Sequence, residues 1–136
     1  MAVVGARRLA RERALGLLYE AEVKSREPAG VLGELPTPPD PYAVALVEGV
    51  GARGAEIDAL LAVHAVDWKV DRMPAVDRAL LRLATFELLG RPDTPTGVVI
   101  SEAVELAKQY STDGSGRFVN GVLSAVAREV RPPAPA

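Results

Sequence analysis

Apolar residues recur at helical spacing along most of the chain. Ala10, Ala14, Leu17 and Ala21 fall at i, i+4, i+7 and i+11, one stripe of a first helix. Pro28, Gly30 and Gly33 end that region, and Pro36, Pro38, Pro39 and Pro41 mark a turn-rich linker. Residues 42–64 read as two shorter helices interrupted by Gly49, Gly51 and Gly54, and residues 68–73 as a short helical or irregular turn. The strongest pattern spans residues 74–89, where Leu80, Leu83, Ala84 and Leu88 share a face. Pro74 suits a first helical turn, and Gly90, Pro92 and Pro95 stop the helix. Val99, Ala103, Leu106 and Tyr110 form the next stripe, residues 111–116 a polar turn, and Phe118, Val122, Leu123 and Val126 the last stripe. No strand and no repeat is legible. The pattern predicts an all-α, compact bundle of about six or seven helices filling one domain over residues 1–130, with a flexible Pro/Ala tail over 131–136.

Composition narrows the chemistry. The chain has 136 residues, enough for one domain with a real core and not for a second catalytic one. It has no cysteine, which removes disulfides, thiol catalysis and zinc–thiolate sites. The single histidine, His64, removes His-pair metal sites and argues against a Ser–His–Asp hydrolase; flanked by Ala62, Val63 and Ala65, it reads as a packed helix residue. No apolar run reaches membrane-spanning length, and residues 1–20 carry charges throughout, unlike a signal peptide, so the expected location is the cytoplasm.

Two motifs carry no chemistry of their own. Gly49, Gly51 and Gly54 spell G-x-G-x-x-G, but no strand precedes them and no suitably spaced acid follows, so a tight helix–helix junction is expected instead of a dinucleotide site. Glu102 with Glu105, and Asp71 with Asp77, resemble acid–base pairs only in spacing. Nothing makes them converge, and solvated helix faces are the expectation.

Charge distribution matters more than the net charge of −2. Arg7, Arg8, Arg11 and Arg13 crowd the start of the chain, opposed locally only by Glu12. Arg7 and Arg11 repel at i, i+4, and cations in a first helical turn oppose the macrodipole, each at a cost of a few tenths of a kcal/mol. A bound phosphate would reverse both effects, since arginine grips it with two N–H groups. A second patch combines Tyr110, Arg117 and Phe118 around the polar turn, the mixture of rings and guanidinium used for single-stranded nucleic acid.

These residues carry a resemblance. Residues 6–12 with Ala14, Leu17, Leu18 and Tyr19, the stretch 76–88, and the block 99–108 followed by 117–123 together resemble the NusB family of transcription antitermination factors. The resemblance implies two packed three-helix subdomains and a non-enzymatic RNA-binding protein with no cofactor, no metal and no catalytic residue. It implies boxA RNA of nascent ribosomal RNA transcripts as ligand, the small-subunit ribosomal protein NusE as partner, and action within the RNA polymerase elongation complex. It implies Arg7, Arg8, Arg11, Tyr110, Arg117 and Phe118 as RNA contacts, and Tyr19, Asp71 and Asp77 as partner contacts. Relatives exist as monomers or homodimers, and a homodimer would cover the basic surface. The family often has a third arginine where Leu9 stands and an acid where Gly114 stands, and the first departure implies a weaker phosphate grip.

The expected ligand response follows. With about four to six phosphate contacts, affinity falls by two or more decades from low to moderately high salt. Replacing Arg7, Arg8 and Arg11 together with alanine is expected to weaken binding to every RNA and leave the helical circular dichroism unchanged. A partner protein adds contacts, making the heterodimer the tighter species. The rival reading is a helical protein–protein adaptor without sequence-specific RNA binding, its arginines pairing an acidic partner. A stray module of a ribosomal RNA methyltransferase is disfavoured, because no cofactor-binding sheet is present.

Overall fold

The computed structural model describes residues 2–66 and 68–132. The helices are α1 (Ala2–Val23), α2 (Pro28–Gly33), α3 (Pro41–Ala52), α4 (Gly54–His64), α5 (Ala75–Gly90), α6 (Thr96–Tyr110) and α7 (Ser115–Val130), with one 3-10 turn at Val70–Arg72 before α5. The all-α expectation and the expected number of helices hold among these residues.

Local chemistry sets the boundaries. The first stripe packs inward as read: Ala10, Ala14, Leu17 and Ala21 are all buried. The Pro28 region, read as a terminator, instead starts α2, because proline at the first helical position loses only an N–H that had no partner. Fully buried Val31 anchors this single short helix. Asp40 caps α3 by accepting from the Tyr42 N–H at 2.8 Å. The glycine motif is a packing device: a Cβ on Gly49 would lie 2.1 Å from the Phe86 ring, so α3 can cross α5 closely only with glycine there.

α5 is buried on nearly every side, from Asp77 to Leu88, and packs against α1, α3, α4, α6 and α7. Its central place is reached with buried acids as well as apolar residues, Asp77 and Glu87 each being paired by groups from other helices. α1–α3 gather on one side of it and α4, α6 and α7 on the other, and a single core runs through both groups from Ala10 to Ala127. Arg131 closes the bundle. Its guanidinium donates to the backbone carbonyls of Leu88 (2.9 Å), Glu87 (3.1 Å), Arg91 (2.8 Å) and Thr94 (2.6 Å), tying the end of α7 to the last turn of α5 and the loop after it. The tail expected from residue 131 is therefore tied down at its first residue, and residues 133–136 lie outside the described ones.

Candidate nucleic-acid interface and partner face

The arginines of α1 divide between inside and outside. Arg11 is only 4% exposed. Its Nε and Nη2 fork onto Glu87 of α5 at 2.8 and 3.0 Å, and its Nη1 reaches Glu102 of α6 at 3.4 Å. Tyr42 of α3 completes the cluster by donating its hydroxyl to Glu87 at 2.6 Å. Burial is the largest single influence and works against the Arg11 charge, but the hydrogen bond to Glu87 and the charges of Glu87, Tyr42 and Glu102 together outweigh it, and the guanidinium is held above its ordinary value. Arg8 forks onto Glu102 at 3.2 and 2.5 Å while its side chain stays 51% exposed. The hydrogen bond from Arg8 holds the Glu102 carboxyl below its ordinary value.

This geometry corrects two expectations. Arg11 is not a surface contact, because two carboxylates from other helices already occupy its donors. Nor is Glu102 a solvated residue; it is buried and grips two arginines. The underlying electrostatics change too. α1 begins at Ala2, so Arg7 and Arg8 lie beyond its first turn, where the macrodipole penalty has faded. The repulsion along α1 is offset by Glu87 and Glu102, acids far away in sequence.

Arg7 faces outward. Its guanidinium carbon sits 3.8 Å from the centroid of the Tyr42 ring, and no carboxylate pairs with it among the described residues. Beside it opens a cleft of about 560 Å³, lined by Asp93, Thr94, Gly97, Ser101 and Glu102.

The second patch lies at the far end of α6. Tyr110 is 48% exposed and donates its hydroxyl to Glu12 of α1 at 3.1 Å, a bond that raises its pKa. Arg117 is exposed at the start of α7. Phe118 is half-buried and packs against the core, so only part of its ring reaches solvent. α6 joins the patches, meeting Arg8 through Glu102 and Glu12 through Tyr110.

The residues expected to meet a protein partner separate as well. Tyr19 is exposed and lines an apolar groove of about 530 Å³ with Leu9, Leu15, Gly16, Val76 and Tyr110, Glu12 and Arg13 at its margins. Asp71 is exposed on the 3-10 turn and lines a different cleft, with Trp68 and Val63. Asp77 is 2% exposed and corrects the expectation of a direct partner contact. It accepts from the hydroxyls of Ser111 and Ser115 and so fastens the α6–α7 turn to the start of α5.

Sequence reasoning missed Tyr42 and Glu87, whose roles depend on contacts across more than forty residues. It also missed the apolar groove, although a signal was present. Leu9, Gly16, Tyr19 and Val23 follow heptad-like spacing on a second face of α1, and Leu9, Tyr19 and Val23 remain exposed. No described helix is long and apolar enough to cross a membrane.

Known proteins share this fold. The model of the NusB family matches residues 8–128. The transcription antitermination protein NusB of Kineococcus radiotolerans is 48% identical over 91% of this chain and 94% of its own length. NusB of T. maritima superposes with a TM-score of 0.82 at 36% identity, covering 90% of this chain and 91% of that one. A structure of antitermination factors NusB and NusE in complex with dsRNA matches with a TM-score of 0.77 at 32% identity, covering 90% of this chain and 96% of that one. The chain belongs to the NusB family.

Proposed function

We propose that this chain is a transcription antitermination factor that binds boxA RNA of nascent ribosomal RNA transcripts and pairs with NusE. It works in the cytoplasm, within the elongation complex, as a binding protein and not an enzyme. RNA lies across the outer face of α1 and the α6–α7 turn, with Arg7, Arg8 and Arg117 on phosphates and Tyr110 and the open part of Phe118 against bases. NusE covers the groove around Tyr19 and reaches Asp71 in the separate cleft beside the 3-10 turn. Arg11 and Asp77 serve this surface from beneath by fixing α1 and the α6–α7 turn.

The observation that carries the reading is the outward pair Arg7 and Arg8, held in place by Tyr42 and Glu102 with open faces to solvent. A ready-made guanidinium pair is what phosphate recognition requires. A relative solved with NusE and dsRNA supports the class of partners. The apolar groove beside the basic surface supports a protein partner next to the RNA.

The test is a titration with a boxA oligonucleotide, a scrambled one and a duplex, each with and without NusE. Preference for boxA, tightened by NusE, is expected. Leu9→Glu should lose the tightening and keep the weaker binding of the chain alone. Equal affinity for all three RNAs, with competition by acidic peptides, would instead favour a pure protein adaptor.

A further inference from the structure

Arg7 and Arg8 are held in chemically different ways. Arg8 spends one edge of its guanidinium on Glu102. Arg7 lies over a ring. Guanidinium N–H groups lie in the plane of the group, so contact through its face leaves the donors free, whereas a carboxylate consumes two of them. Among the described residues, no guanidinium N–H of Arg7 donates to a protein acceptor. The side chain is thus placed without being saturated.

The ring beneath it is fixed. Tyr42 is 4% exposed, its backbone N–H is held by Asp40, and its hydroxyl is tied to Glu87, which also grips Arg11. Arg91 approaches the same ring at 4.9 Å and Arg11 at 5.8 Å, within the range where a guanidinium feels the ring's negative face. Glu87 supplies the counter-charge through the phenol and Arg11, so several cations can crowd one aromatic.

We infer that Tyr42 is a positioning residue for RNA binding: its ring holds the Arg7 guanidinium by the face and so leaves the in-plane donors free for the nucleic acid backbone. The inference rests on the RNA reading above. A flexible arginine loses rotamer freedom when it grips phosphate, and the stack makes part of that ordering in advance. The buried Arg11–Glu87 pair then acts on RNA indirectly, as the mount of the platform.

The experiment measures affinity for the same single-stranded boxA oligonucleotide by fluorescence anisotropy. Tyr42→Phe keeps the ring and should bind within about twofold of the parent. Tyr42→Leu removes the ring and should bind about three- to fivefold more weakly, the upper part of the range for an exposed cation–π contact. Arg7→Ala should lose at least as much, and adding Tyr42→Leu to it should cost nothing further. Side-chain NMR supplies a readout free of RNA and of Tyr42→Leu stability: Arg7 resonances should be shifted upfield by the ring current in the parent and in Tyr42→Phe.

Tyr42→Leu binding as tightly as the parent, while Arg7→Ala binds weakly, overturns the platform and leaves the RNA surface standing. Unshifted Arg7 resonances do the same. Indifference of RNA affinity to Arg7→Ala, Arg8→Ala and Arg117→Ala alike overturns the RNA reading, and the positioning role with it.

Discussion

Arg7 and Arg11 lie one helical turn apart on α1 and face different media. Arg11 points into the bundle and meets Glu87 and Glu102, while Arg7 points out and rests on Tyr42. Both are arginines in one basic run, and a charge plot treats them alike. The difference lies in what the other helices bring up. A buried guanidinium must find acids or it destabilises the fold, and the acids come from α5 and α6. An exposed one is free to take an external anion. A basic cluster is therefore two things at once here, an internal brace and a surface grip.

The comparison breaks most sharply at Arg11. Arg11→Ala leaves Glu87 buried with only the Tyr42 hydroxyl, and removing one partner of a buried pair costs about 3–5 kcal/mol. Urea denaturation should show that loss, and Glu87→Ala should lose a similar amount. The triple arginine-to-alanine variant would then unfold or soften along with losing RNA. If Arg11→Ala unfolds at the parent's urea midpoint, the brace is not structural.

Next in size is the outer pair. Arg7→Ala with Arg8→Ala should weaken RNA binding by about an order of magnitude or more. The slope of log affinity against log salt should fall by about 1.4, roughly 0.7 for each phosphate that is no longer neutralised. The melting temperature should move far less than in Arg11→Ala, because neither side chain is buried. An unchanged salt slope would mean that the pair touches no phosphate.

These two outcomes bear on how much the sequence discloses. The stripes of α1, α5, α6 and α7 were readable because each depends on spacing within one helix. α2 was not, since six residues opened by Pro28 and containing two glycines look like a break until Val31 is seen in the core. The outward arginines were readable as charge. The inward fate of Arg11 and Asp77 was not, because it is decided by Glu87 and Glu102 in one case and by Ser111 and Ser115 in the other. Periodicity says which face is apolar; it does not say which polar residue of a neighbouring face will be pulled inside.

A pH titration sharpens the same contrast with a smaller effect. Glu102 is held below its ordinary value of 4.5, first by the hydrogen bond from Arg8. A carboxyl lowered in the folded state adds stability above its unfolded value, and that contribution disappears as pH falls through the lowered folded value. The parent should therefore lose stability on acidification below about pH 4.5. Glu102→Gln lacks this component, so its stability should fall less steeply over that window, the two proteins converging at the acid end. Parallel curves for parent and variant would show that the Arg8 pair is absent in solution.

The smallest expected effect lies in the turn that presents Arg117. Gly114 has φ +87°, left-handed backbone at the N-terminus of α7, and a Cβ there would meet no neighbour within 4 Å. Sterics with the surroundings are thus not at stake, only the residue's own backbone preference. Alanine in that conformation costs about 1 kcal/mol. Aspartate costs less, because short polar side chains tolerate the left-handed region and an acid at a helix start is favourable. Thermal melts should rank the parent first, Gly114→Asp second and Gly114→Ala third. The family's frequent acid at this position and the glycine here are then two solutions to one backbone requirement. An alanine variant as stable as the parent would show that the turn relaxes, and that the Asp77–Ser115 tether alone holds Arg117 in place.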